Sequence, residues 1–131
     1  MLKLITISCF ILLAFTNFEC QKKSSEVDRI YTDHFKGRLE IKGICMNYTI
    51  KLLEGEMDPV LYQKSWTDQH SGKTHTNVFA LTSQCTFPAE IKEGDEFYFK
   101  IETETNQNCG VCLAFYPTPS KKLAIRVISN P

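Results

Sequence analysis

The sequence predicts an all-β domain: a small open barrel of the OB-like kind, or a compact sandwich of about six strands. Three observations lead there. From Gly37 onward, apolar and polar residues alternate with the period of two that marks half-buried strands. Gly, Pro, Asn and Asp break these runs at short intervals, as turns between strands do. No stretch keeps a helical apolar repeat for three turns.

The first element is an address rather than a part of the fold. Lys3 precedes an apolar run, Leu4 to Phe15, which contains Thr6 and Ser8 and is about a dozen residues long, whereas a spanning helix needs roughly 20. Cys20 follows, then the polar stretch Gln21-Lys22-Lys23-Ser24-Ser25. This is the layout of an export signal, so residues 1–19 are expected to be a signal peptide, with Cys20 as a lipidation site. An ordinary signal-peptidase site at Ala14-Phe15-Thr16, followed by plain secretion, is the alternative. Residues 20–36 then form a polar tether, in which Val27, Ile30 and Tyr31 are too few to sustain a helix alone.

The domain is expected at residues 37–131. Leu39 and Ile41 alternate with Arg38, Glu40 and Lys42, and Tyr48, Ile50 and Leu52 continue on the opposite parity. The parity change between Gly43 and Asn47 reads as a bulge in one long strand. Glu54 to Pro59 ends that strand, and Val60 to Trp66 and His75 to Leu81 are the next two candidates. The sharpest pattern is Phe97, Phe99 and Ile101 directly after the turn Lys92-Glu93-Gly94-Asp95. Cys112 to Tyr116 follows as a short strand, Pro117 to Ser120 as a turn, and Leu123, Ile125 and Val127 as the last strand.

With Cys9 and Cys20 assigned to the export segment, Cys45, Cys85, Cys109 and Cys112 remain, and export makes disulfides their default state. Three pairings are possible. A Cys109–Cys112 bridge would close too short a loop to restrict the unfolded chain much, whereas joining the first strand to the penultimate one is worth about 4 kcal/mol on the entropic account. The pairs expected are therefore Cys45–Cys112 and Cys85–Cys109. The Cys-x-x-Cys spacing of Cys109 and Cys112 also fits a thiol–disulfide oxidoreductase, but the extended, proline-ended sequence after it offers no helix dipole to activate a thiol. A zinc site normally shows two such knuckles, so no metal or other cofactor is expected.

The remaining chemistry is sparse. Asp68, His70, Ser71 and His75 crowd one turn, where side chains mostly face solvent and a hydrolytic triad is not expected. Glu93, Asp95 and Glu96 match no calcium loop. Asn47-Tyr48-Thr49 is an N-glycosylation acceptor sequence. Lys and Arg number 15, as do Asp and Glu, and losing Lys3 and Glu19 keeps the balance at zero. Nucleic acid is thus not expected as a partner, since phosphate neutralisation needs a basic excess. Nine Phe, five Tyr and one Trp supply aromatic surface. Tyr48, Tyr62, Trp66, Tyr98 and Tyr116 lie on or beside strands and are the candidate binding face, while Phe97, Phe99 and Phe115, with Trp66 as a possible member, read as core or barrel-end plugs.

Four features together, the Cys20 tether, Gly43-Ile44-Cys45 running into Tyr48-Thr49-Ile50-Lys51-Leu52, the turn Lys92-Glu93-Gly94-Asp95, and Cys112 before a final strand, give a layout with a counterpart. It resembles the small bacterial cell-envelope lipoproteins of the Bacteroidetes type, with a short β-barrel and a cysteine in the first strand. The resemblance implies a location, at a membrane through an N-terminal lipid, and an architecture, and it carries over no catalytic residues; the function expected with it is a non-enzymatic binding or assembly module whose partner is an envelope protein or a glycan. A second resemblance, to secreted eukaryotic lipid-recognition sandwiches, implies instead a soluble carrier of an apolar ligand.

Overall fold

In the computed structural model, residues 33–103, 108–110 and 112–131 are described. Cys20, the export segment and most of the tether lie outside the described residues. Seven strands follow: β1 (Phe35–Lys42), β2 (Tyr48–Glu54), β3 (Trp66–Thr67), β4 (Thr74–His75), β5 (Val78–Leu81), β6 (Glu96–Glu102) and β7 (Lys122–Ile128). Five of them close a barrel in the order β1-β2-β5-β7-β6, and β3 and β4 form a separate two-stranded ribbon. All barrel pairings are antiparallel except β5 with β7, which run parallel through Ala80 opposite Lys122 and Leu81 opposite Leu123. The expected all-β class holds, and of the two architectures the barrel is the one formed, closed rather than open.

The period of two places the core. Phe35, Leu39 and Ile41 on β1, Ile50 and Leu52 on β2, Phe97 and Phe99 on β6, and Leu123 and Ile125 on β7 point inward and are buried. Phe79 and Phe99 fill the centre with ring centroids 5.9 Å apart, so the barrel is a packed core rather than a container. Gly37 lets β1 approach this centre, since a Cβ there would lie 2.8 Å from the ring of Phe99. Two register shifts, between Lys36 and Gly37 and between Leu39 and Ile41, bend β1 as closure of so small a barrel requires. Ser83 adds a polar pin where β5 ends: its buried hydroxyl donates to the Ile125 carbonyl at 2.7 Å and accepts the Ile125 N–H at 2.9 Å.

The barrel corrects several expectations. Gly37 to Leu52 is two strands, not one bulged strand. Ile44–Met46 makes a single 3-10 turn in which Cys45 (φ 56°) and Met46 (φ 57°) are left-handed, and the chain reverses there. β1 begins at Phe35, two residues inside the expected tether. Val60 to Trp66 is not a strand: Asp58 turns the chain by accepting the N–H groups of Leu61 on its carbonyl and Val60 on its carboxylate. Within it Gln63, bridged to Val78, and Trp66, which opens β3, keep strand geometry. His75 to Leu81 divides into β4 and β5 at the left-handed Asn77. Cys112 to Tyr116 forms no strand either, because its backbone is tied sideways to the loop between β1 and β2. Among the described residues, no helix is long and apolar enough to cross a membrane.

Candidate functional site

Three connections meet at one side of the barrel: the β1–β2 loop (residues 43–47), the β3–β4 ribbon tip (68–73) and the segment 112–121 that leads into β7. Cys45 is joined to Cys112 and Cys85 to Cys109, with Cα atoms 5.2 and 5.4 Å apart, the same two pairs as expected. Cys109 and Cys112 are therefore bonded to separate partners instead of to each other, and the Cys-x-x-Cys spacing makes no redox couple in this state. The first bridge fastens the segment 112–121 to the β1–β2 loop. Asn47 reinforces it, its Nδ2 donating to the carbonyls of Ile44 (2.8 Å) and Ala114 (3.0 Å). The amide of the glycosylation sequence is thus occupied as a clamp between two loops.

Gly43 lets Tyr116 settle onto this clamp. A Cβ at position 43 would lie 2.9 Å from the Tyr116 ring and would also collide with the Asn47 carbonyl. The opposite side of the ring region belongs to the ribbon: His70 and Tyr116 have centroids 5.3 Å apart. Together with Ile44, Gln69, Phe115 and Pro117 they line an open cleft of about 450 Å³. Its rim is apolar and exposed, with Ile44 58% and Phe115 82% accessible to solvent; Leu113, two residues before Phe115, is 97% accessible. Soluble domains rarely fix such side chains in contiguous exposed positions without a use for them.

Tyr116 also lines an adjoining polar cleft with Glu40, Asp68, Glu93, Lys73 and His75. Here the expected solvated turn is corrected, because Asp68 and His75 are buried. Asp68 caps the ribbon tip by accepting the N–H groups of His70 (2.9 Å) and Ser71 (3.1 Å) and the Ser71 hydroxyl. Burial raises its pKa, but these bonds outweigh burial and hold it below the ordinary aspartate range. His75 packs against Trp66, and its Nδ1 meets Glu40 Oε1 at 2.8 Å. Arg38 reaches the other oxygen of Glu40 with Nε at 2.9 Å and Nη2 at 2.6 Å. Burial alone would raise Glu40; the bonds from His75 and Arg38 prevail, and its pKa is lowered. The phenol of Tyr116 is pushed up by burial first, then by the charges of Asp68 and Glu93. No nucleophile, base and orienting group converge among these described residues, since Asp68 bonds Ser71 directly while His70 and His75 face separate rings.

Of the five aromatic residues proposed as a binding face, only Tyr116 reaches this site. Tyr48 packs edge-on against Phe87 with Lys42 Nζ 5.8 Å from its ring, and Tyr62 rests on the core. Trp66 covers His75, and Tyr98 meets His34 beside Lys36 and Glu54 at the other end of β1. Phe115 is corrected in the opposite sense: expected in the core, it stands on the exposed rim. The residues missed by sequence reading are Ile44, Asn47, Gln69 and Glu40. The signal for the first two was a cysteine flanked by apolar residues in a turn rather than in a strand. Glu93 accepts the Lys42 N–H (2.8 Å), Asp95 the Lys92 N–H (2.8 Å), and Glu96 pairs with Lys36 (2.8 Å), so the three acids serve three separate partners. Among the described residues no cluster of three or more His, Cys, Asp or Glu is placed to hold a metal ion. No family model matches the chain, and no curated protein or solved structure matches it.

Proposed function

We propose that this chain is an exported binding module of the bacterial cell envelope, lipid-anchored through Cys20 and without catalytic chemistry, which holds a partner in the cleft between the β1–β2 loop and the segment 112–121. One observation carries the reading: Ile44, Leu113 and Phe115 are exposed apolar side chains on loops locked together by the Cys45–Cys112 bridge. Rigid, solvent-facing apolar groups lose little entropy on association and gain the burial term, as binding hot spots do. Two disulfides are compatible with an oxidising compartment outside the cytoplasm. The filled barrel interior favours this surface cleft over an apolar ligand enclosed between sheets. Lys73, His70 and His75 are the basic side chains lining the two clefts among the described residues, against the carboxylates of Glu40, Asp68 and Glu93, which argues against a nucleic-acid backbone as partner.

The test is a photo-reactive amino acid placed at position 115 in the producing cell, with position 56 as an exposed control. A discrete adduct of one mass at 115 and none at 56 is expected. Equal, diffuse labelling at both positions would remove the cleft from consideration. Mass spectrometry of the mature N-terminus checks the anchor separately: a diacyl or triacyl mass on Cys20 supports it, and an unmodified N-terminus at residue 17 contradicts it.

A further inference from the structure

The apolar cleft and the polar cleft are neighbours that share Tyr116, and their chemistry differs in a way that specifies the partner. In the polar cleft, of about 220 Å³, Arg38 compensates Glu40, which leaves Asp68 and Glu93 facing Lys73. Asp68 and Glu93 line the cleft beside Tyr116, whose phenol is pushed up by burial first and then by these two charges. His75 lines the same cleft with only 9% of its side chain exposed; Glu40 occupies its Nδ1, and its Nε2 has no hydrogen-bond partner among the described residues. A buried polar atom without a partner calls for an explanation, such as an ordered water or a contact made on binding.

Resting on the binding-module reading above, we propose that the partner is a protein segment bearing an apolar side chain and, two residues on, a lysine or arginine. The apolar group occupies the space between Ile44, Phe115 and Pro117, and the cation lies over Tyr116 toward the exposed carboxylate of Glu93. Side chains two apart on an extended segment are about 6.6 Å from each other, roughly the width of the single ring that separates the clefts. The same charge pattern disfavours a bilayer, because anionic leaflets are recruited by lysine and arginine clusters and repelled by carboxylates. Position within the fold agrees. The site lies at the Lys42 end of β1, roughly 20–25 Å along the strand from the Phe35 end, where the chain from Cys20 joins the barrel.

Three seven-residue peptides test this by NMR titration of the oxidised protein up to millimolar concentrations. Each carries one Phe, followed two residues later by Lys, Gln or Glu. The expected order is Lys, then Gln, then Glu, with Lys about fivefold tighter than Gln, the scale of one exposed ion pair. Glu93→Gln, whose amide oxygen can still accept the Lys42 N–H, is expected to bring the Lys-to-Gln ratio under twofold. Phe115→Asp is expected to weaken all three peptides at least tenfold. If the peptides bind equally and still depend on Phe115, the cation requirement is overturned while the binding-module reading stands. If none binds and the protein instead binds vesicles of phosphatidylglycerol and phosphatidylethanolamine through Phe115, the protein-segment proposal is overturned in favour of a lipid surface. Binding to neither would overturn the proposal and the reading beneath it.

Discussion

Replacing Cys45 and Cys112 together by serine tests how the site is held. The bridge spans a sequence separation of 67. On the chain-entropy account its loss frees the unfolded state by about 4 kcal/mol at 25 °C. A second effect opposes this one. The bridge holds Cys45 and Met46 at φ values of 56° and 57°, and each left-handed non-glycine residue costs on the order of 1–3 kcal/mol. Only the part of that strain which relaxes in the reduced loop can be recovered, and Asn47 still clamps Ile44 to Ala114. Loop closure wins, leaving a net loss of about 2–3 kcal/mol. With a urea m-value of about 1.5 kcal/mol/M, the unfolding midpoint falls by roughly 1.5–2 M. The assay is equilibrium unfolding in urea followed by the fluorescence of Trp66, with limited proteolysis after Phe115 and Tyr116 as a local probe. The expected result is a folded barrel with the lower midpoint and much faster cleavage at the rim. A midpoint unchanged within about 0.3 M, with cleavage as slow as in the wild type, would refute the claim that this bridge fixes the loops.

Further substitutions probe the buried polar groups and the core. Glu40→Gln removes a carboxylate whose pKa is lowered in the folded state. Its contribution is therefore present above the unfolded value, about 4.3, and is lost as pH falls through the folded value. The variant is expected to be about 1–3 kcal/mol less stable at pH 7 and to lose less further stability between pH 5 and 3, as read from urea midpoints across pH. The residual acid dependence belongs to Asp68, and to Asp33 through its bond with Lys100, which are shifted in the same direction. Thr49 is fully buried and its hydroxyl has no partner among the described residues, so Thr49→Val is expected to raise stability by about 1 kcal/mol, measured as a higher urea midpoint. Phe79→Ala, at the centre of the barrel, is expected to cost about 3–5 kcal/mol and to abolish cooperative unfolding in a domain this small.

The barrel was legible because its information is local. Leu39 with Ile41, Phe97 with Phe99, and Leu123 with Ile125 state their inward faces in the sequence itself, and the turn at Gly94 marks where β6 begins. For the cysteines, loop length argued only against a Cys109–Cys112 bridge; it does not separate Cys45–Cys112 with Cys85–Cys109 from the pairing that exchanges Cys109 and Cys112, and the choice between them came from placing Cys112 on the penultimate strand. The failures share a different cause. Gly43 to Asn47 looked like a bulge because alternation says nothing about left-handed residues, and only the bridge and the Asn47 clamp disclose that the chain reverses there. Val60, Leu61 and Tyr62 have strand composition, yet Asp58 captures the N–H groups of Val60 and Leu61. Phe115 was misplaced because hydrophobicity alone does not distinguish a residue that fills a core from one held out on a cross-linked rim. Asp68 and His75 were misplaced for the converse reason: their burial depends on partners far along the chain, Glu40 for His75, and on a turn folded tightly enough to saturate Asp68.

The cross-linked clamp is the central claim, and a peptide map of the protein, isolated from its producing cell with thiols blocked and without reduction, tests it most directly. Fragments joining Cys45 to Cys112 and Cys85 to Cys109 are predicted, with no blocked thiol at any of the four positions. A fragment closed between Cys109 and Cys112, or blocked thiols at Cys45 and Cys85, would contradict it and would return this pair of cysteines to redox chemistry.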